Sequence, residues 1–342
     1  MAPKVKPVRI GMMSFAHMHA GSYAACVNQI PEAELAGIAD DNRERGQDMA
    51  KRFGTSFFAS YEELLRQDIH AVIVCSENVR HKELTVMAAE AGKHVMCEKP
   101  LAASIEDGRT MITECKKHGV KLQTAFPCRF SPAMAQALQA IGAGQIGKIF
   151  AIRGTNHGTC PGGWFTDLSL AGGGAVMDHT VHVADLMRWV MGAEPAEVYA
   201  EIGNLMLHKD FDDTATLSIR FDNGVFATLD PSWSRPPSFP FWGDVTMLIV
   251  GSDGYIALDL FAQKMDLYSD RTMQCSWEHW GDNIDLGLVK SFVNSVARDL
   301  PVEVTGEDGL AAAAVAIAAY ESAKRCVPVK VADVGYEPGD RG

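Results

Sequence analysis

The sequence lacks the features that mark nucleic-acid-binding and membrane proteins. Its 342 residues carry a net charge of −12, without a dense run of Lys or Arg. Nucleic acids and anionic membranes are bound through clustered cations, so we expect neither partner. The longest apolar stretch, 311–320, is too short to span a bilayer and is rich in alanine, which favours a packed helix.

A disulfide framework and a targeting segment are also missing. The eight cysteines are scattered without a Cys-x-x-Cys pair, and several lie in apolar runs such as 72–75. This pattern favours buried free thiols in a reducing compartment. The first seven residues carry two lysines but no apolar run with a cleavage site, so no signal peptide is predicted. We therefore expect a cytoplasmic protein.

The first 125 residues alternate strand-like apolar runs with amphipathic helical stretches. The predicted strands are 8–13, 35–39, 71–75, 94–96 and 121–124, and the predicted helices are 18–30, 43–53, 83–91 and 105–118. This alternation requires right-handed crossovers and gives a parallel sheet covered on both faces. Because the chain is too long for one small core, we predict an α/β domain over residues 1–125, followed by a second domain.

The pattern changes after about residue 147, where strand-like segments follow one another directly. Hairpin turn signals stand at 222–224 and 252–254. One predicted helix, 176–191, comes early, and the helices 286–298 and 308–325 close the chain. We predict that residues 126–342 form an α+β domain with a large, mostly antiparallel open sheet. Its final helix could pack back on the first domain.

The junction between the first predicted strand and the first predicted helix lacks the three glycines of a dinucleotide-binding fingerprint. A pyrophosphate is bound there by backbone N–H groups at the helix start, and three glycines allow the turn, the phosphate approach and the helix–strand packing. Ser14, Ala16 and His19 occupy those positions, after Gly11. Ser and Ala are small enough to keep the loop, whereas His19 is not. For His17 and His19, a polar helix start is favoured over a metal pair.

Asp40 ends the second predicted strand. An acidic side chain there can accept hydrogen bonds from the adenosine ribose and would repel a 2′-phosphate, which favours NAD over NADP. Helix capping together with Asp41 is an equally good interpretation. Arg43 and Arg45 weaken the preference for NAD a little.

The most specific signal in the chain is the segment 98–100, Glu-Lys-Pro, at the end of a predicted parallel strand. It places a lysine where the ligands of open α/β sheets bind. Further signals are the segment 76–81, Arg129-Phe130, and a glycine run at 172–174 that leads to an Asp-x-x-x-His pair. With these motifs the sequence resembles the Gfo/Idh/MocA oxidoreductase family, typified by glucose–fructose oxidoreductase and inositol dehydrogenase, over nearly all of residues 8–331.

The resemblance implies an N-terminal NAD(P)-binding domain of Rossmann type and a C-terminal domain for substrate binding and oligomerisation. The partner would be a second copy of the chain, in a homodimer or homotetramer formed through the C-terminal sheet. The residues it assigns to the cofactor are Gly11, Ser14, Phe15, Ala16, Asp40, Ser76, Asn78, His81, Glu98, Lys99 and Arg129. The residues predicted to contact the substrate are Lys99, His157, Trp164, Asp178, His179 and His182. For His157, as for Asp167, a polar bond within its own loop is the other interpretation. Glu77 departs from the family pattern, which has proline there.

Asp178, His182 and Asp185 share one face of the predicted helix 176–191. Oxidation of a secondary alcohol needs a base for the hydroxyl proton, and a carboxylate-supported histidine suits that role. A lysine ammonium can stabilise the developing alkoxide. The resemblance assigns these catalytic roles to His182, Asp178 and Lys99, although a buried Asp–His hydrogen bond without chemistry remains the alternative for the helix pair.

We therefore expect NAD-dependent hydride transfer at a secondary alcohol or ketone of a sugar, cyclitol or glycoside. One alternative keeps NAD bound and oxidises the sugar only transiently, as in family epimerases, lyases and glycosidases. Another is a non-catalytic, dinucleotide-binding regulator, which would not need to keep Lys99, Asp178 and His182.

No metal site is predicted. His157, Cys160, Asp167 and His179 could be drawn as a zinc site, but their spacing matches no zinc-ligand pattern. Three tryptophans stand in or near loops rich in Gly and Pro. Trp164 is predicted to line the polyol pocket, whereas packing in a core or a subunit interface explains Trp233 and Trp242 equally well.

Overall fold

The computed structural model describes residues 6–279 and 283–337. The described residues pack into two compact units, one formed by 6–127 with 284–310, the other by 128–279 and 283 with 311–337. The segment 284–310 thus belongs to the first unit, although it lies far beyond the predicted boundary at residue 125. Within the described ranges, no helix is long and apolar enough to cross a membrane.

The strands and helices follow the order expected from the sequence, with several additions. In chain order the strands are β1 (Val8–Met13), β2 (Ala33–Ala39), β3 (Phe57–Phe58), β4 (Ala71–Val74), β5 (His94–Cys97), β6 (Leu122–Thr124), β7 (Ile149–His157), β8 (Pro195–Gly203), β9 (Thr214–Phe221), β10 (Phe226–Ser232), β11 (Thr246–Gly251), β12 (Tyr255–Asp259), β13 (Lys264–Ser269), β14 (Gln274–His279) and β15 (Val329–Lys330). The helices are α1 (Ala20–Gln29), α2 (Arg43–Phe53), α3 (Tyr61–Leu65), α4 (His81–Glu90), α5 (Ile105–Lys117), α6 (Pro132–Gly142), α7 (Leu168–Ala171), α8 (Ala175–Met191), α9 (Ile284–Ala297) and α10 (Gly306–Arg325).

The first unit is built on a six-stranded parallel sheet in the order β3-β2-β1-β4-β5-β6. All four residues of β4 are buried, as expected for a central strand covered on both faces. The strand order reverses between β1 and β4, and ligands of such sheets bind at the carboxyl ends of the strands beside this switch point. The predicted α/β fold of Rossmann type is confirmed.

The second unit contains a seven-stranded sheet in the order β12-β11-β7-β10-β9-β8-β15. Strands β7 and β10 pair in parallel, and the other neighbours pair antiparallel. Both predicted turn signals lie in hairpins, β9–β10 and β11–β12. The predicted mostly antiparallel sheet is therefore confirmed, while the hairpin β13–β14 and helix α6 were not predicted.

Helix α8 covers one face of this sheet, against β7, β9 and β10. Gly154 on β7 allows the close approach. A Cβ atom there would lie 2.6 Å from Val183 Cγ1 and 2.8 Å from Met187 Cε, both on α8. The absence of a side chain at Gly154 therefore sets how near the helix comes to the sheet.

We predict that Gly154→Ala lowers the free energy of unfolding by about 1–3 kcal/mol, because the added methyl group overpacks the interface between α8 and the sheet. Gly21→Ala is the matched control, since a Cβ at this position in α1 meets no atom within 4 Å. That substitution should be neutral or stabilise by about 0.5–1 kcal/mol, as Ala is favoured over Gly within a helix. Thermal and denaturant unfolding measure both variants, and equal stabilities would contradict this account of the packing.

Candidate active site

The loop between β1 and α1 keeps a tight turn without glycine. Ser14 adopts the left-handed conformation (φ 71°) that usually favours glycine. Its backbone N–H donates to Ala39 O at 2.8 Å, and its Oγ accepts the N–H of Ala16 at 3.1 Å. The side-chain oxygen therefore helps to hold a turn that the fingerprint normally assigns to glycine.

Asp40 anchors this loop to the end of β2. Its buried carboxylate accepts the N–H of Phe15 at 2.7 Å and the N–H of Asn42 at 2.8 Å. It also receives two hydrogen bonds from the Arg45 guanidinium, at 2.8 and 2.7 Å. The cap of α2 is provided by Asn42, whose Oδ1 accepts the N–H of Arg45, and not by Asp40 and Asp41 as the capping interpretation supposed.

The Glu-Lys-Pro turn follows β5 and is buried. Glu98 is 0% exposed and Lys99 4%. Glu98 Oε1 lies 3.0 Å from His19 Nδ1 and 3.6 Å from His17 Nδ1, and Oε2 accepts the N–H of Lys99 at 3.0 Å. Burial alone would raise the pKa of Glu98, but the two imidazoles and the Lys99 ammonium outweigh it and hold this pKa far below its usual value.

The segment after β4 supports the same turn. Ser76 is buried and its Oγ donates to Glu77 O at 3.1 Å, and Asn78, also buried, opens a short 3₁₀ turn. His81 Nδ1 lies 2.9 Å from Pro100 O. Burial lowers the pKa of His81, which favours the neutral ring donating this bond. Because parallel strands end at one edge, the residues following β1, β4 and β5 gather there.

In the second unit, α8 carries Asp178 and His182, which are 7% and 6% exposed. Asp178 Oδ2 accepts the indole N–H of Trp233 at 3.0 Å and lies 3.2 Å from His179 Nε2. The other ring nitrogen of His179, Nδ1, lies 2.9 Å from Asn156 O. Asp178 is thus held between an indole and an imidazole, and the role of Trp233 was not predicted.

The start of α8 is held by two side chains that the sequence did not reveal. Asp212 accepts the N–H groups of Gly174 and Val176, at 2.9 and 2.7 Å. The Tyr320 hydroxyl donates to Asp212 at 2.8 Å and accepts the N–H of Gly174 at 3.0 Å. These bonds satisfy N–H groups that a helix leaves open at its start. They fix the turn that precedes Asp178.

Arg129 and Asp185 form a buried ion pair within the second unit. Arg129 Nε donates to Asp185 Oδ2 at 2.7 Å, and the guanidinium lies over the Trp189 ring. Asp185 shares the α8 face with Asp178 and His182, as the spacing predicted. The assignment of Arg129 to the cofactor stays a prediction.

His157 belongs to a separate charged cluster. Its Nε2 lies 3.0 Å from Asp230 Oδ2 and its Nδ1 3.0 Å from Asp244 Oδ2, and Arg235 also pairs with Asp244. Gly154 faces α8, so His157, three residues further along β7, projects from the opposite face of the sheet. The structure therefore does not group His157 with Asp178 and His182.

The other predicted side chains of the second unit are distributed as follows. Trp164 is partly buried and stacks on Phe165, with ring centroids 3.9 Å apart. It packs against the hydrophobic cluster that contains Phe165 and Trp233. Asp167 caps the short helix α7 through Ser169 N. His157 and His179 have different partners, so the structure does not assemble the zinc set that the sequence allowed. Instead it brings together His17, His19 and Glu98, with donor atoms within 4.8 Å of one another.

Comparisons with known proteins show the family of the chain. The model of the oxidoreductase family with an NAD-binding Rossmann fold matches residues 8–126, and the Gfo/Idh/MocA C-terminal domain matches 134–257. The chain belongs to the Gfo/Idh/MocA oxidoreductase family. It is an oxidoreductase that acts on CH–OH groups, and its cofactor is NAD.

Similar proteins match nearly the whole chain. The myo-inositol 2-dehydrogenase of Thermotoga maritima is 30% identical over 96% of this chain and 99% of its own. The crystal structure of a probable dehydrogenase from the same organism has a TM-score of 0.83 at 29% identity, covering 95% of this chain and 99% of that one. A levoglucosan dehydrogenase in complex with NADH and levoglucosan has a TM-score of 0.83 at 25% identity, covering 95% and 100%.

The residues of the first unit fit NAD. The turn at Ser14 has the backbone geometry that a pyrophosphate loop requires, and α1 has no acidic residue in its first turn to repel phosphate. Asp40 stands at the end of β2, where the adenosine ribose binds in such domains. Ser14 therefore keeps the left-handed turn although it is not glycine.

We predict that the ion pairs of His157 stabilise the fold at neutral pH and that this stabilisation is lost at alkaline pH. Hydrogen bonds to Asp230 and Asp244 raise the pKa of His157 to about 9, against the effect of burial. A raised pKa stabilises the fold below the unfolded value of about 6.5, and this contribution is lost as pH rises toward 9. The melting temperature of the wild type should therefore fall over this range, and that of His157→Gln should fall less. Parallel pH profiles for the two proteins would contradict the assignment.

Proposed function

We propose that the protein is an NAD-dependent dehydrogenase of a sugar, cyclitol or glycoside, with His182 as the acid/base. The observation that carries this proposal is that both motifs are complete and buried: Lys99 beside Glu98 in the first unit, and Asp178 with His182 on α8. Its relatives include a myo-inositol 2-dehydrogenase and a levoglucosan dehydrogenase, which supports a polyol substrate.

In this mechanism His182 accepts the proton of the reacting hydroxyl during oxidation and returns it during reduction. The role proposed for the Lys99 ammonium is to stabilise the negative charge that develops on the hydroxyl oxygen as the proton leaves. The bound nicotinamide supplies the hydride chemistry. The Lys99 and His182 side chains are both buried. Electrostatic interactions are stronger where water is excluded.

In this proposal Asp178 supports His182 as a neighbouring carboxylate on α8, and Trp233 in turn positions Asp178. The indole N–H bonds to Asp178 Oδ2, and Trp233 itself is held in the core by an edge contact with Phe211. The polar bonds at the start of α8 prevent the helix from shifting along its axis. His179, predicted to contact substrate, would act here through Asp178.

We also propose that NAD is preferred over NADP. Asp40 would repel a 2′-phosphate, and the Nε–Nη2 edge of the Arg45 guanidinium, which could attract one, is directed to Asp40. Arg45 therefore does not offset the carboxylate as the sequence suggested. Binding constants for the two dinucleotides test this preference, and equal affinities would contradict it.

The substrate-binding and oligomerisation roles of the second unit are part of the proposal. The face of its sheet opposite α8 carries exposed Phe226, Val250 and Tyr255, so we propose that a homodimer or homotetramer forms through this face. Light scattering of the wild type should give a dimer or tetramer mass, and Phe226→Asp should lower it. A monomeric wild type would contradict this proposal. A cytoplasmic location stays a prediction.

We predict that Lys99→Met and His182→Gln each lower kcat/KM about 100-fold or more, because each removes a group that acts on the reacting oxygen. The measurement is NADH formation with NAD and a panel that contains myo-inositol and levoglucosan. Lys117→Met and His118→Gln are the controls, since both residues lie on the exposed end of α5. Folded Lys99 or His182 variants with wild-type turnover would refute the assigned roles.

A further inference from the structure

His19 occupies the fingerprint position at which glycine normally allows close packing of helix on strand. In this chain α1 buries Ala20 and Ala24 and contacts β1 and β2. Ala20, which follows His19, and Ala24, one helical turn further along, are therefore the small residues that let α1 pack closely. This leaves unexplained why a large, polar ring stands at residue 19.

The structure shows what the ring contacts. His19 Nδ1 lies 3.0 Å from Glu98 Oε1, and the Tyr23 hydroxyl lies 3.5 Å from the same nitrogen. His17 lies edge-on to His19, and its Nδ1 accepts the N–H of His19 at 3.2 Å. Two imidazoles of the loop therefore lie beside one fully buried carboxylate, and His19 is within hydrogen-bond distance of it.

The other oxygen of that carboxylate serves the lysine. Glu98 Oε2 accepts the backbone N–H of Lys99, so one side chain joins the nucleotide loop to the residue proposed to stabilise the reacting oxygen. The electrostatics support an ion pair: burial would lower the pKa of His19, but Glu98 outweighs it and raises this pKa above 6.5. A buried carboxylate with a charged hydrogen-bond partner costs much less than one without.

We propose that the His19–Glu98 pair is a positioning device that fixes the pyrophosphate loop against the Glu-Lys-Pro turn, in place of the fingerprint's third glycine. NAD affinity and the placement of Lys99 then depend on the same bond. This inference goes beyond the proposed function: it is tested by NAD binding, which does not depend on the roles proposed for Lys99 and His182.

The decisive variant is His19→Gly, which restores the fingerprint glycine. If the pair positions the loop, His19→Gly weakens NADH binding about tenfold or more, measured by calorimetry or by fluorescence of bound NADH. Met18→Gly is the matched control: it adds the same backbone freedom one residue away, at a side chain that is 60% exposed. This control should change the affinity less than about twofold.

Three further measurements separate positioning from a general loss of structure. His19→Asn, which can still donate to Glu98, should recover much of the affinity, and the melting temperatures of all the folded variants identify any that are destabilised. His19→Gly combined with Glu98→Gln should bind NADH no more weakly than the weaker single variant, because both remove one interaction. Steady-state kinetics should show a raised KM for NAD in His19→Gly with a smaller change in kcat.

Two results would overturn the proposal. If His19→Gly binds NADH as tightly as the wild type, the histidine is only tolerated at this position. If the purified wild type contains a stoichiometric transition metal that His19→Gly lacks, the set His17, His19 and Glu98 is a ligand site and not a tether.

Discussion

A carboxylate removed from water must be matched by donors and positive charge, and this constraint organises the chemical groups of the protein. Glu98, Asp40 and Asp178 are all buried, and each is bound by groups from more than one segment of the chain. Removing one partner would leave an uncompensated buried charge, which is far more costly than losing a surface contact. The positions of the surrounding loops therefore follow from the positions of these three side chains.

The two units meet this constraint differently. In the first unit, the parallel sheet delivers its strand ends to one edge, so residues distant in sequence, such as Ser14 and Lys99, follow neighbouring strands. In the second unit, Asp178 and His182 both lie on α8, so their positions depend on how this helix packs against the sheet. Gly154 sets its distance from the sheet, and Asp212 with Tyr320 holds its first turn.

Much of the fold followed from the sequence because its signals are local. Apolar runs and turn residues predicted β1, β2 and β4 to β12 along the chain, although not β3 or β13 to β15. The Glu-Lys-Pro and Asp-x-x-x-His motifs indicated the family. The partners of these motifs could not be predicted, because Trp233, Asp212 and Tyr320 lie 55, 34 and 142 residues from Asp178 in the chain. His157 shows the opposite case: its nearness to α8 in sequence suggested a substrate contact, whereas strand alternation directs it to the other face.

We propose that Lys99 and His182 both act in the step that transfers the hydride. The most direct measurement is a double-variant cycle of kcat/KM with Lys99→Met, His182→Gln and their combination, using NAD and the best polyol substrate. Groups that share a step are strongly non-additive, so the double variant should lose little more than the worse single variant. A loss equal to the product of the two single losses would contradict the claim.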